Sequence, residues 1–103
     1  MLTTYQHMMR IGVVHFMAFP DLISGEGPML ETLEQVAADE FFTAVEIRRP
    51  VNPALAADIA ALLRGSYLDV GVGAQPVLLR GKLDLNALDE GERARAVAEV
   101  KAS

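Results

Sequence analysis

The stretch Phe41 to Pro50, FFTAVEIRRP, decides how this chain reads. Its centre, Ala44 to Ile47, is a short apolar run with one carboxylate, Glu46, inside it, and Pro50 closes it. Two runs of the same kind flank it: Arg10 to Phe16 (RIGVVHF) and Asp69 to Gln75 (DVGVGAQ). Near-continuous apolar runs rich in β-branched residues fit strands covered on both faces, the usual state of a parallel sheet. Each run finishes on a polar residue that an ordinary core strand does not need: His15, Glu46 and Gln75.

The segments between the runs have helical spacing. From Pro28 to Asp39, Met29, Leu30, Leu33, Val36 and Ala37 form one apolar stripe, and Pro28 suits a first turn, where its missing N–H costs nothing. From Asn52 to Arg64, Leu55, Ile59, Leu62 and Leu63 make a buried face. Asn52 is the expected N-cap, Pro53 sits just inside it, and Gly65 is the expected left-handed stop. The third strand is expected over Tyr67 to Ala74, with Gly71 and Gly73 on one face; paired glycines there imply close approach of another group. Val77 to Leu88 reads as a long connection, and Asp89-x-x-Glu92 as a capping-box variant opening a last helix. Met17 to Pro28 is punctuated by Pro20, Gly25 and Gly27 and is long for a strand-to-helix loop, so it reads as a lip over a pocket.

The expected order is therefore βαβαβα, the pattern of parallel units of about 30 residues each with right-handed crossovers. In such sheets ligands bind at the carboxyl ends of the strands. That rule places His15, Glu46 and Gln75 at one edge. His15 reads either as a substrate hydrogen-bonder or as a packed histidine. Glu46 reads as a carboxylate for sugar hydroxyls, or as half of an ion pair with Arg48, Arg49 or His15, because an ionised carboxylate in an apolar strand is costly unless paired. Gln75 can donate and accept at once, which suits a polyol. Arg48 and Arg49 read as holders of a phosphate or carboxylate, or as a solvated rim.

With 103 residues, 51% of them apolar, the chain is the size of one small domain. Residues 1–9 read as a disordered leader and 10–103 as the folded part. A net charge of −5 argues against a nucleic-acid partner. The absence of cysteine excludes disulfides and thiolate metal sites and points to the cytoplasm. No secretory signal is evident at the start, and no apolar run approaches the roughly 20 residues of a membrane span.

Three segments together, IGVVHFMAFP (11–20), MLETLEQVAADEFFTAVEI (29–47) and VGVGAQPVLLRGKLDLNALDEGERARAV (70–97), resemble the opening of the sugar phosphate isomerase/epimerase family, the xylose-isomerase-like TIM barrels. The telling pieces are the strand ending in Glu46 and the passage from AQP through LDLNALDEGER. The resemblance implies the first three units of a (β/α)8 barrel, a fold of about 250 residues. It implies an isomerase or epimerase acting on a sugar or cyclitol, with a proton moved beside a carbonyl by way of an enediolate. It also implies a divalent metal (Mn, Mg, Zn or Co) held by two Glu, an Asp and a His from later strands, with no ligands in this chain. His15, Glu46 and Gln75 then carry over as pocket residues, with Arg48 beside them, and none as a catalytic residue. A histidine at the third strand's end serves as a metal ligand in some barrel relatives; Gln75 stands there, which argues against the multi-zinc nuclease branch. The isolated chain is expected to be inactive, and to hide its open sheet edges by self-association or against a complementing chain. A self-contained α/β binding or assembly module, with Glu46 structural, is the alternative. A flavodoxin-like phosphate domain is disfavoured because Met17 to Gly27 lacks a phosphate loop.

Overall fold

The computed structural model describes residues 8–103, so most of the expected leader lies outside the described residues. The fold is α/β, built on a three-stranded parallel sheet in the order β1 (Gly12–Val14), β2 (Ala44–Ile47), β3 (Asp69–Val72). The register pairs Gly12 with Ala44 and Asp69, Val13 with Val45 and Val70, and Val14 with Glu46 and Gly71. Among the described residues five helices accompany it: α1 (His15–Ala18), α2 (Met29–Ala38), α3 (Pro53–Arg64), α4 (Gln75–Arg80) and α5 (Glu90–Ala102). Among the described residues no helix is long and apolar enough to cross a membrane.

Side chains alternate along a strand, so the register sorts the sheet into two faces. Val45 and Ile47 share one core cluster with Met29, Leu33 and Val36 of α2 and Ile59 and Leu63 of α3. Both crossover helices thus cover the same face. The other face carries Gly12, Val14, Ala44, Glu46, Asp69 and Gly71, and a Cβ added at Gly71 would meet nothing within 4 Å. Among the described residues nothing covers that face. At its outer edge β3 is exposed along its whole length, with Val70 and Val72 left half-open.

Local chemistry explains the helix starts. Asn52 Oδ1 accepts the Ala54 N–H at 2.9 Å, with Pro53 in the first turn of α3 as expected. Asn52→Ala should cost about 1 kcal/mol, and Asn52→Gly only a few tenths, in urea unfolding. Asn52→Asp keeps a side-chain acceptor and should lose little; a loss in Asn52→Asp equal to that in Asn52→Ala would show that the cap bond is not the cause. Asp89 Oδ2 likewise accepts the Glu92 N–H at 2.9 Å and opens α5, so Gly91 in that turn is tolerated.

Four boundaries depart from the sequence reading. The first strand stops at Val14, because His15 and Phe16 already belong to the single turn of α1 and are buried. His15 therefore does not continue the face of Ile11 and Val13. Gly65 ends α3 at φ −84°, in the right-handed region; its N–H is satisfied by the Ala61, Leu62 and Leu63 carbonyls, so no left-handed stop is needed. Gln75 is not a strand end but the first residue of α4, inside what reads as a connection, because Pro76 sits as readily in a helical first turn as after a strand. The Met17 to Pro28 loop is partly regular: Pro20–Leu22 is a 3-10 turn, and Leu22 plugs into the core cluster rather than arching over a pocket. Gly25 and Gly27 close this segment at φ +82° and +98°, where side chains are disfavoured.

Candidate functional site

The carboxyl edge of the sheet gathers most of the polar residues singled out above. Glu46 lies on β2, on the uncovered face, half-buried between Val14 and Gly71 of the neighbouring strands. Among the described residues it forms no ion pair; the pairs present are Arg10–Asp69, Arg49–Glu99 and Arg93–Glu90. The structural alternative of a Glu46 bridge to Arg48, Arg49 or His15 is therefore not what the geometry contains. Immediately above Glu46 the ladder extends one step, from the Gly73 N–H to the Ile47 carbonyl at 2.7 Å. Gly73 is buried, and a Cβ there would sit 2.8 Å from Gln75 Oε1, 3.2 Å from the Glu46 carboxyl carbon and 3.3 Å from Phe16 Cε1. The two polar side chains and one ring thus converge over a bare backbone position. Of the two glycines expected to permit close approach, Gly73 does so and Gly71 faces open space.

A carboxylate accepts hydrogen bonds only, and a carboxamide both donates and accepts. Side by side at a rim with an aromatic ring, they match vicinal hydroxyls on a ring with an apolar face.

His15 is placed elsewhere. It is fully buried, its ring lies 5.4 Å from that of Phe19, and Nε2 is 2.7 Å from Thr32 Oγ1 on α2. The Thr32 hydroxyl proton is directed to the Pro28 and Met29 carbonyls at 2.9 and 3.0 Å. Its lone pair is left for an Nε2–H, which assigns the neutral tautomer protonated at Nε2. Nδ1 is then a bare acceptor, buried without a partner. Burial pushes the His15 pKa below its ordinary value. His15 ties β1 to α2 and does not face the rim. Thr32 went unnoticed in sequence, although a hydroxyl one position before Leu33 in the apolar stripe was a visible signal.

Arg48, directly after β2, is 9% exposed. Nη1 donates to the Ile23 carbonyl at 2.8 Å, and Nε is buried with no partner. Burial, and then the positive charges of Arg80 and Arg49, hold its guanidinium below its ordinary pKa, with Glu26 acting the other way. Arg49 is engaged separately: it donates to the Ala102 carbonyl and lies 3.8 Å from Glu99, clamping the end of α5. Arg80, at the end of α4, carried no signal in sequence.

Among the described residues no three His, Asp or Glu side chains gather so as to hold a metal ion. Comparison with protein-family models, with curated proteins and with solved structures returns no match to this chain.

Proposed function

We propose that this chain forms the first three βα units of a barrel of the sugar phosphate isomerase/epimerase kind and supplies part of its substrate pocket. The observation that carries this reading is the Glu46 carboxylate, without an ion pair among the described residues and half-buried on the open sheet face beside Gln75 and Gly73. Two further features agree with it. Consecutive strands lie side by side with both crossovers on one face, as in a barrel wall, and among the described residues the other face is left free to line a barrel interior. In this reading Glu46 accepts hydrogen bonds from two sugar hydroxyls, Gln75 bridges a third, and Phe16 borders the ring. His15 supports the wall from behind. The wall is completed along β1 and β3 by strands of a second copy or a complementing chain. Proton transfer next to the carbonyl belongs to those other strands, and this chain alone turns nothing over.

The test is an amide-shift titration of the chain with a neutral hexitol. Weak but saturable shifts are expected at Glu46, Gly73 and Gln75. Glu46→Gln replaces a charged acceptor by a neutral one, which should weaken binding about tenfold, or about 1.4 kcal/mol. Unchanged affinity in Glu46→Gln, or shifts scattered away from the sheet edge, would reject the pocket.

A further inference from the structure

Helix α5 departs from the rule that a surface helix is apolar toward the core and polar toward water. Its inner side is fixed by three contacts. Ala96 is fully buried, Glu99 lies 3.8 Å from Arg49, and the Ala102 carbonyl accepts from Arg49. At 3.6 residues per turn, Glu90, Ala94, Val97, Ala98 and Lys101 share a sector about 100° wide on the opposite side of the helix. All five are exposed. The centre of that outward sector is apolar, Ala94, Val97 and Ala98, and a shallow depression of about 430 Å³ lies along it. α5 thus presents apolar side chains on two opposite faces, and among the described residues only one of them is covered.

The charges at the two ends of that sector are opposite. Glu90 stands in the first turn and Lys101 in the last. Glu90 is tied to Arg93 at 3.4 Å through Oε1. Lys101 belongs to none of the ion pairs among the described residues. The positions are symmetric about one point: the midpoint between Ala94 and Val97 is also the midpoint between Glu90 and Lys101. A second α5 laid antiparallel across a two-fold axis through that point sets Ala94 against Val97 at the centre and Glu90 against Lys101 at both ends. A parallel pair would set Glu90 against Glu90 and Lys101 against Lys101. Alanines at 94 and 98 let the two axes approach to about 8 Å, the close end of the usual range. The surface is therefore complementary to its own copy, which a two-fold contact requires.

We propose that α5 is the docking face for a second copy of this chain, through an antiparallel contact of the two α5 helices. The contact spans about three helical turns of each chain, less than the roughly 1,200 Å² of standard interfaces, so the dimer is weak and exchanging, with a dissociation constant of about 10 µM to 1 mM. Arg49 ties the end of α5 to the segment after β2, so the helix that docks is fixed to the sheet and the whole chain dimerises with it. The inference goes beyond the sugar-pocket reading and does not need it, because the seam involves neither strand edge, nor Glu46, nor Gln75.

The experiment is sedimentation equilibrium of the full chain from about 10 µM to 1 mM, where the parent is expected to pass from one chain to two. Far-ultraviolet dichroism checks that each variant keeps its helices. Val97→Glu puts a carboxylate into the apolar centre and should leave a monomer throughout. Lys101→Glu sets Glu90 against a second carboxylate at both ends of the seam and should weaken association about tenfold. Glu90→Lys combined with Lys101→Glu reverses both ends together and should recover most of that loss. Arg95→Glu makes the same change of net charge on α5 but off the seam, and should leave association unchanged. A monomer at every concentration, equal weakening by Lys101→Glu and Arg95→Glu, or no recovery in the double variant would each overturn the contact. Association that survives Val97→Glu would place the interface elsewhere, such as the open strand edges, and overturn it as well. The sugar pocket is read separately, by the hexitol shifts at Glu46, Gly73 and Gln75, so the failure of either leaves the other standing.

Discussion

Leu33→Ala should lower the unfolding free energy by about 3 to 4 kcal/mol. Leu33 is fully buried on α2, inside the cluster that joins α2 to Val45 and Ile47 of β2 and to Ile59 and Leu63 of α3. Truncation removes the transfer free energy of three carbons and leaves a cavity that rigid neighbours on three elements cannot refill. A domain of this length has a total stability of roughly 5 to 15 kcal/mol, and one with a sheet covered on a single face belongs near the bottom of that range. The variant should therefore shift its urea midpoint to less than half the parent's, or lose the cooperative transition. Leu88→Ala is the matched control: Leu88 is 98% exposed, so the same atoms removed there should change stability by no more than about 0.5 kcal/mol. If the two substitutions cost the same, the cluster is not what holds the sheet to its helices.

The elements most legible in sequence are those where two independent signals agree. In α3 an N-cap, a first-turn proline and an apolar stripe coincide, and the helix falls at Pro53–Arg64 as read. In β2 the β-branched run and its alternation coincide, and the strand falls at Ala44–Ile47. The misreadings fall where one residue type carries two meanings. Pro76 ends a strand or begins a helix with equal ease, so Gln75 moved from a strand end into α4. His15 and Phe16 continue an apolar run but are buried by turning away from the sheet, which alternation alone does not reveal.

The candidate site divides in the same way. Glu46 was visible because a carboxylate inside an apolar strand contradicts its surroundings. Arg48 was visible only as one of an arginine pair; what separates it from Arg49 is tertiary. One guanidinium lies under the Gly25 turn, and the other reaches 53 residues along the chain to the end of α5. Arg80 and Phe16 join the edge through α4 and α1, the two short helices that no periodicity announces. Polar residues that conflict with their local pattern could be found from sequence. Those that are ordinary locally and become special by packing could not.

Acidification should destabilise the chain through His15, in a window set by the sign of its shift. Burial lowers the folded-state pKa of His15, while the unfolded chain titrates near the ordinary value of about 6.5. The folded state therefore holds fewer protons than the unfolded state below that value. His15's contribution is fully present above pH 6.5 and is lost as pH falls from there toward the lower folded value, by at most about 1.4 kcal/mol per pH unit for one proton. The structural cause is the Nδ1 position: protonation would place an N–H there, buried with no acceptor. His15→Gln retains an amide donor for Thr32 and cannot titrate, so its stability should be flatter between pH 6.5 and 5. Parallel slopes in parent and variant would remove His15 as the cause. The other half of the contact gives a second, pH-independent effect. Thr32→Val keeps the shape of α2's buried stripe but leaves the imidazole without its one partner, which should cost about 1 to 3 kcal/mol at pH 7. Thr32→Ser, which keeps the hydroxyl, should recover most of it. The pair separates hydrogen bonding from packing, because a packing origin predicts that valine is tolerated better than serine at a site 8% exposed.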